Sequence, residues 1–177
     1  MSFTIKIDTG NIDRFRALLA EFPEIMERHF DRASVLAVSH LEGAIKQNVE
    51  SPYGSKPPAV AFSYLAGGIF GAERTSPIFG GVVEVNPPAD VYAGYVETGT
   101  SPHFPPIEPL MLWAKRKFAV DEKEAKSIAF AIARKISVSG TKGHFMFQRA
   151  VENEQDTVIG FFDQALESAC AEVEAGV

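Results

Sequence analysis

Tyr92–Pro106 reads YAGYVETGTSPHFPP, and the fold turns on how the chain enters it. Two tyrosines, one glutamate, two glycines, two threonines and three prolines fall within this one passage. The segment that leads in, Ala89–Val96, either completes a hairpin or coils into one helical turn that puts Tyr92, Tyr95 and Val96 on one side. Pro102, Pro105 and Pro106 restrict the backbone and hold the chain extended. Gly94 and Gly99 permit turns or close backbone approach. Tyr92, Tyr95 and Phe104 supply large apolar area, with polar handles on the tyrosines. A loop stiffened in this way loses little entropy on docking, which suits a repeated protein contact. The other role for Tyr92 and Val96 is to close the core. A second passage, Gly140–Phe147 (GTKGHFMF), echoes the Gly-Thr and His-Phe pairs of the first.

Upstream, Ile78–Val85 (IFGGVVEV) reads as a strand, followed by a turn at Asn86-Pro87-Pro88. Ala59–Phe70 is apolar and aromatic and is consistent with either a short helix or a strand. Ser51–Pro58 is a loop. Before it, Met26, Phe30, Ala33, Ala37, Leu41, Ala44 and Asn48 form the stripe of a long helix from Ile25 to Val49, about 37 Å at ~1.5 Å per residue. His29 and His40 share a face of it roughly 16 Å apart, too far to hold one metal, and read as boundary residues. Pro23 predicts a break or kink, with a separate helix over Ile12–Phe22 started by the caps at Asp8–Asn11. Thr4–Ile7 reads as a short strand.

Downstream, Glu108–Phe118 is helical, with Leu110, Trp113, Ala114 and Phe118 inward and Lys115, Arg116 and Lys117 outward. Asp121, paired with Glu124, caps a helix striped by Ala125, Ile128, Ala129, Ile132 and Ile136. Ser137–His144 is a loop. The last helix, about Phe147 to Val173, carries Val151, Val158, Phe162, Ala165, Ala169 and Val173 in phase, and Cys170 reads as a packed thiol beside them. The expected organisation is one domain over 1–177. It has a helical part at about 11–50, a sheet and loop part at about 59–106, and a helical part at about 107–175.

With 177 residues, 46% of them hydrophobic, the chain has room for one real core. No run approaches the roughly 18 apolar residues of a membrane span. The start, MSFTIKIDTG, lacks the layout of a secretory signal, so a cytoplasmic product is expected. The net charge of −6 argues against a general nucleic-acid binder. The charge is uneven. Met111–Arg149 holds nine Lys/Arg against three Asp/Glu, a local +6, while Ala150–Val177 holds seven acids and no base, a local −7. Such blocks pair internally or between neighbouring copies.

Signatures of chemistry are sparse. HExxH, GxSxG, GxxxxGK[ST] and GxGxxG motifs are all missing. A single cysteine excludes an internal disulfide and an all-cysteine zinc site within one chain. Gly140-Thr141-Lys142-Gly143 reads as an ordinary connection rather than an anion nest. Glu97, His103 and His144 are the one set that resembles a metal-dependent hydrolase. The competing reading gives Glu97 backbone N–H partners in the Gly99–Ser101 turn. No catalytic residue, cofactor or metal is assigned.

Tyr92, Ala93, Tyr95, Val96, Glu97, Gly99 and Thr100, followed by Gly140, Thr141, Gly143 and Phe145 or Phe147 ahead of a closing helix, form a pattern that resembles the head–tail junction proteins of long-tailed phages. These are the neck and tail-completion proteins, including relatives of minor tail protein Z. The resemblance covers roughly Ala59–Ala165. It implies an α+β fold, in which a small, mostly antiparallel sheet packs against long N-terminal and C-terminal helices. It also implies a non-enzymatic virion component, assembled in the host cytoplasm, that acts as a ring of its own copies and meets head-closure, tail-tube or tail-terminator proteins. Neither sequence-specific nucleic acid nor a membrane is an expected partner. On this reading the contact residues are Tyr92, Tyr95, Glu97, Gly99, Thr100, His103, Phe104, Pro105, Gly140, Thr141, Lys142, Gly143 and Phe145. A cytoplasmic interaction module unrelated to phages is the remaining alternative.

Overall fold

The computed structural model describes residues 10–54, 64–74 and 80–175. The strand read at Thr4–Ile7, the caps at Asp8 and Thr9, and much of the 51–58 and 59–70 segments lie outside the described residues, as do most side chains of the stripe over Ile12–Phe22. Among the described residues helix accounts for 75%, so strands are a minor component. The elements in order are α1 (Gly10–Glu50), α2 (Tyr64–Gly68), β1 (Ile69–Arg74), β2 (Gly80–Val85), α3 (Asp90–Thr98), β3 (Gly99–Thr100), α4 (Ile107–Phe118), α5 (Glu122–Ser139), β4 (Thr141–Lys142) and α6 (Met146–Ala175). Among the described residues the strands form two separate two-stranded ribbons, β1–β2 and β3–β4.

The break expected at Pro23 does not occur: α1 runs unbroken through it for 41 residues, about 61 Å. An interior proline costs about 3 kcal/mol through one lost hydrogen bond and a steric clash. Burying a single Val or Ile side chain returns about 1.5–3 kcal/mol. The α1 face buries Ile25, Ala33, Ala37, Val38, Ile45 and Val49, so packing outweighs the local penalty. The buried face is also turned from the stripe read in sequence, since Met26, Phe30, Leu41, Ala44 and Asn48 are only half-buried.

The described chain gathers into two compact units. The first comprises residues up to Gly43, Gly71–Glu84 and Asn153 onward. Here α1 and α6 lie side by side. Phe30 packs against Phe162 at 5.9 Å between ring centroids, and the His40 ring stands edge-on to Phe161 at 5.7 Å. His40 Nε2 bonds the Glu154 carboxylate at 2.7 Å, and Arg28 and His29 both bond Glu172 at 2.8 Å. The histidines are therefore boundary residues, as expected. Ser34, buried, donates its hydroxyl to the Phe30 carbonyl and accepts the Gly80 N–H, both at 2.8 Å, which ties β2 to α1. Glu42 accepts the Gly71 N–H at 2.9 Å and does the same for β1.

On α6 the buried positions are Met146, Ala150, Ala165 and Ala169, while Val151 is 55% exposed. Cys170 is exposed rather than packed, because one residue past Ala169 is a ~100° turn away from the buried stripe.

The second unit comprises Ala44–Phe70 and Val85–Glu152. Its helical pair is α4 and α5, joined through Ala114, Ala125, Ala129 and Ala133, all fully buried. Asp121 Oδ1 accepts the Glu124 N–H at 2.8 Å, which is the expected cap of α5. Ala119 ends α4 in the left-handed region, φ 51°. The loop expected from Ser137 begins later, at Gly140, because α5 continues to Ser139. The Asn86–Pro88 turn is present, and the Asn86 N–H donates to the Gly68 carbonyl at 2.7 Å.

Candidate functional site

The ambiguity at Ala89–Val96 resolves to helix. The Ala93 N–H donates to the Ala89 carbonyl at 3.0 Å, and α3 continues through Glu97 to Thr98. The chain then turns at Gly99, φ 83°, into β3. Its partner is β4, so the two Gly-Thr dipeptides that echo each other in sequence meet in space. The ribbon is antiparallel, with Thr100 opposite Thr141 and Gly99 opposite Lys142. The two threonine hydroxyls bond each other at 2.9 Å.

Three glycines make this crossing possible. A Cβ at Gly99 would collide with the Thr141 carbonyl oxygen, one at Gly140 with that of Thr100, and one at Gly143 with that of Glu97. Both Gly99 and Gly140 also carry positive φ, which L side chains rarely adopt. Beyond the ribbon the His144 N–H donates to the Val96 carbonyl at 2.8 Å and the Phe145 N–H to the Glu97 carbonyl at 3.0 Å. The second loop is thus stitched to the last turn of α3.

Glu97 completes the link. It accepts backbone N–H bonds, as its turn position suggested, but the donors are not in the Gly99–Ser101 turn. Its two carboxylate oxygens take the N–H groups of Phe147 and Gln148, each at 3.0 Å. Those donors belong to the first turn of α6, where N–H groups have no helical partner and an anion meets the positive end of the helix dipole. Glu97 is a cap supplied from 50 residues away. Phe145, in the left-handed region at φ 51°, precedes this turn and stands edge-on to Tyr53 at 6.2 Å, with the Arg149 guanidinium 4.5 Å over the Tyr53 ring.

The braced loops form one wall of an open groove of about 1480 Å³ in the second unit. Tyr92, Tyr95, Val96, Leu110, Trp113 and Ile136 give it an apolar, aromatic lining. Thr100, His103, Pro105, Thr141 and His144 contribute from the loops. Arg116, Lys117 and Lys142 bring cations, and among the described residues no carboxylate lines it. Lys117 lies 5.0 Å over the Trp113 ring, which itself packs edge-on to Phe118 at 5.6 Å. Tyr95 is 63% exposed and Tyr92 36%. Phe104, 57% exposed, sits outside the groove against Phe130, ring centroids 6.5 Å apart. His103 is exposed and its Nδ1 bonds the Ser101 carbonyl at 2.9 Å.

The predicted contact residues therefore divide by task. Glu97, Gly99, Gly140, Gly143 and Phe145 hold the two loops together. Tyr92, Tyr95, Thr100, His103, Pro105, Thr141 and Lys142 face the groove or its mouth, and Phe104 lies outside it against Phe130. His103 and His144 both line the groove, but Glu97 does not join them. Among the described residues no three His, Cys, Asp or Glu side chains converge to hold a metal. Sequence reasoning missed Leu110, Trp113, Arg116 and Lys117 as part of this site. The unusual Trp-Ala-Lys-Arg-Lys run was a usable signal, since a lone tryptophan beside three cations marks a recognition surface as readily as a core stripe. The chain matches no family model, no curated protein and no solved structure.

Proposed function

We propose that this chain is a non-enzymatic phage or prophage virion protein of the head–tail junction, a neck, tail-completion or minor tail component. It acts through protein–protein contacts in a ring of its own copies and with head-closure or tail-tube and tail-terminator proteins. The supporting observation is that the two motifs carrying the resemblance form one braced unit. Thr100 pairs with Thr141 across more than 40 residues of chain, and Glu97 of the first motif caps the helix that follows the second. Such bracing leaves Tyr95 and His103 exposed beside the ribbon, the arrangement that a recognition surface needs and a core does not.

The finer form of the fold belongs to the same proposal: α+β, with a small antiparallel sheet packed against long terminal helices. The β1–β2 ribbon tied to α1 through Ser34 and Glu42 supports it. The hydrolase alternative has less support, because the Glu97 carboxylate is engaged at the start of α6.

Deleting the gene from its phage or prophage and imaging the particles tests the reading. Filled heads and tails that fail to join, restored by the gene in trans, are the expected result. Normal yields of infectious particles without it would end the proposal.

A further inference from the structure

We propose that the groove beside the Gly-Thr ribbon receives the outward face of α6 from a second copy of the chain. This names the self-contact within the assembly reading above, and rests on it. The occupant follows from the two faces of α6. One face is buried through Ala165 and Ala169. The opposite face carries Ile159, 55% exposed, and Leu166, 45% exposed, with Asp156, Asp163, Glu167 and Cys170 all exposed beside them. At ~100° per residue these six side chains fall within an arc of roughly 100°, turned away from the buried alanines. An amphipathic face of this kind on a helix already packed on its other side is an interaction surface in search of a partner.

The groove complements it in both respects. Tyr95, Leu110 and Trp113 offer apolar surface to Ile159 and Leu166, and Lys117 and Lys142 offer cations to Asp163 and Glu167. Among the described residues the lining contains no acid to oppose them. The same opposition appears along the chain: +6 over Met111–Arg149, which holds all three of the groove's described cations, and −7 from Ala150 onward. A helix about 10 Å wide fills roughly 400 Å³ per turn, so the cavity has room for about three turns, the length from Asp156 to Glu167. Apolar contacts would hold the helix in place, and the charges would choose it over other helices and set its register. Groove and helix face are unlike surfaces, so their contact is head-to-tail and generates a ring when the rotation closes.

Charge exchange tests this on the full chain. Lys117→Glu with Lys142→Glu places acids in the groove; Asp163→Lys with Glu167→Lys places bases on α6. By light scattering and native mass spectrometry, each double variant should self-associate at least about tenfold more weakly than the parent chain, with its melting temperature retained. An equimolar mixture of the two should regain association, because every groove–helix contact between unlike chains is again of opposite charge. Cys170, the one cysteine, offers a second readout. A thiol–amine cross-linker attached there should reach Lys117 or Lys142 of a differently isotope-labelled copy. A parent chain that associates as the variants do, or cross-links that land away from the groove, overturns the docking and leaves the ring to another surface. A parent chain that stays monomeric at every concentration reached overturns both.

Discussion

Gly99, Gly140 and Gly143 tolerate no side chain, and Gly94 shows the contrast within the same motif. An alanine at any of the first three drives a methyl group into a carbonyl oxygen of the opposing loop. Each is expected to lower unfolding free energy by on the order of 1–3 kcal/mol in urea titrations. Gly94 lies inside α3 with nothing within 4 Å of its would-be Cβ, so Gly94→Ala should stabilise by about 0.5–1 kcal/mol through helix propensity. Equal effects at all four positions would show that the ribbon is not as close as described. Tyr95 and Phe104 make the opposite case. Each exposes more than half its surface, so Tyr95→Ala and Phe104→Ala should keep unfolding within about 0.5 kcal/mol of the parent and, on the proposed virion role, abolish infectious particles. Variants that simply unfold would place those rings in the core instead.

At the scale of elements, α6 is held at both ends by side chains from elsewhere. Glu97 caps its start, so Glu97→Ala should cost about 1–2 kcal/mol, with α6 amides the first to lose hydrogen-exchange protection. Near its end, Arg28 and then His29 hold the Glu172 carboxyl below its ordinary value of 4.5. A carboxyl depressed in the folded state lends stability that is whole above about pH 4.5 and fades as pH falls through the lower folded value. Glu172→Gln should therefore separate from the parent chain in thermal melts at neutral pH and converge with it in acid. A gap that persists unchanged at low pH would mean the side chain acts by packing and not by charge. The Pro23 result also belongs to this scale: a 41-residue helix with a long buried face absorbs a defect that would end a short one.

For the whole molecule the controlling feature is the separation of charge. On the proposed docking the opposed +6 and −7 segments favour the contact that apolar surface holds, so it weakens as salt shortens the screening length from about 10 Å at 0.1 M to about 3 Å at 1 M. Sedimentation across that range should show self-association falling with salt. Association that strengthens would point to an apolar interface with the charges as bystanders. Both motifs of the site lie in a single compact unit, so the groove does not depend on how the two units are arranged.

Local properties were open to reading from the sequence alone. Helical spacing marked the α4, α5 and α6 helices to within a few residues, Asp121 announced its cap, and the repeated Gly-Thr dipeptides singled out the two loops that meet. These features depend on side chains within a turn or two of each other, and one-dimensional spacing records that faithfully. Tertiary structure alone decided what depends on distant partners. It placed Thr100 on Thr141 and turned Glu97 toward the start of α6. It rotated the buried face of α1 and left Cys170 in the open. A donor 50 residues away, or a helix that lies against one face and not another, leaves no trace in local periodicity, because the energy that selects it arises only once the chain has closed on itself.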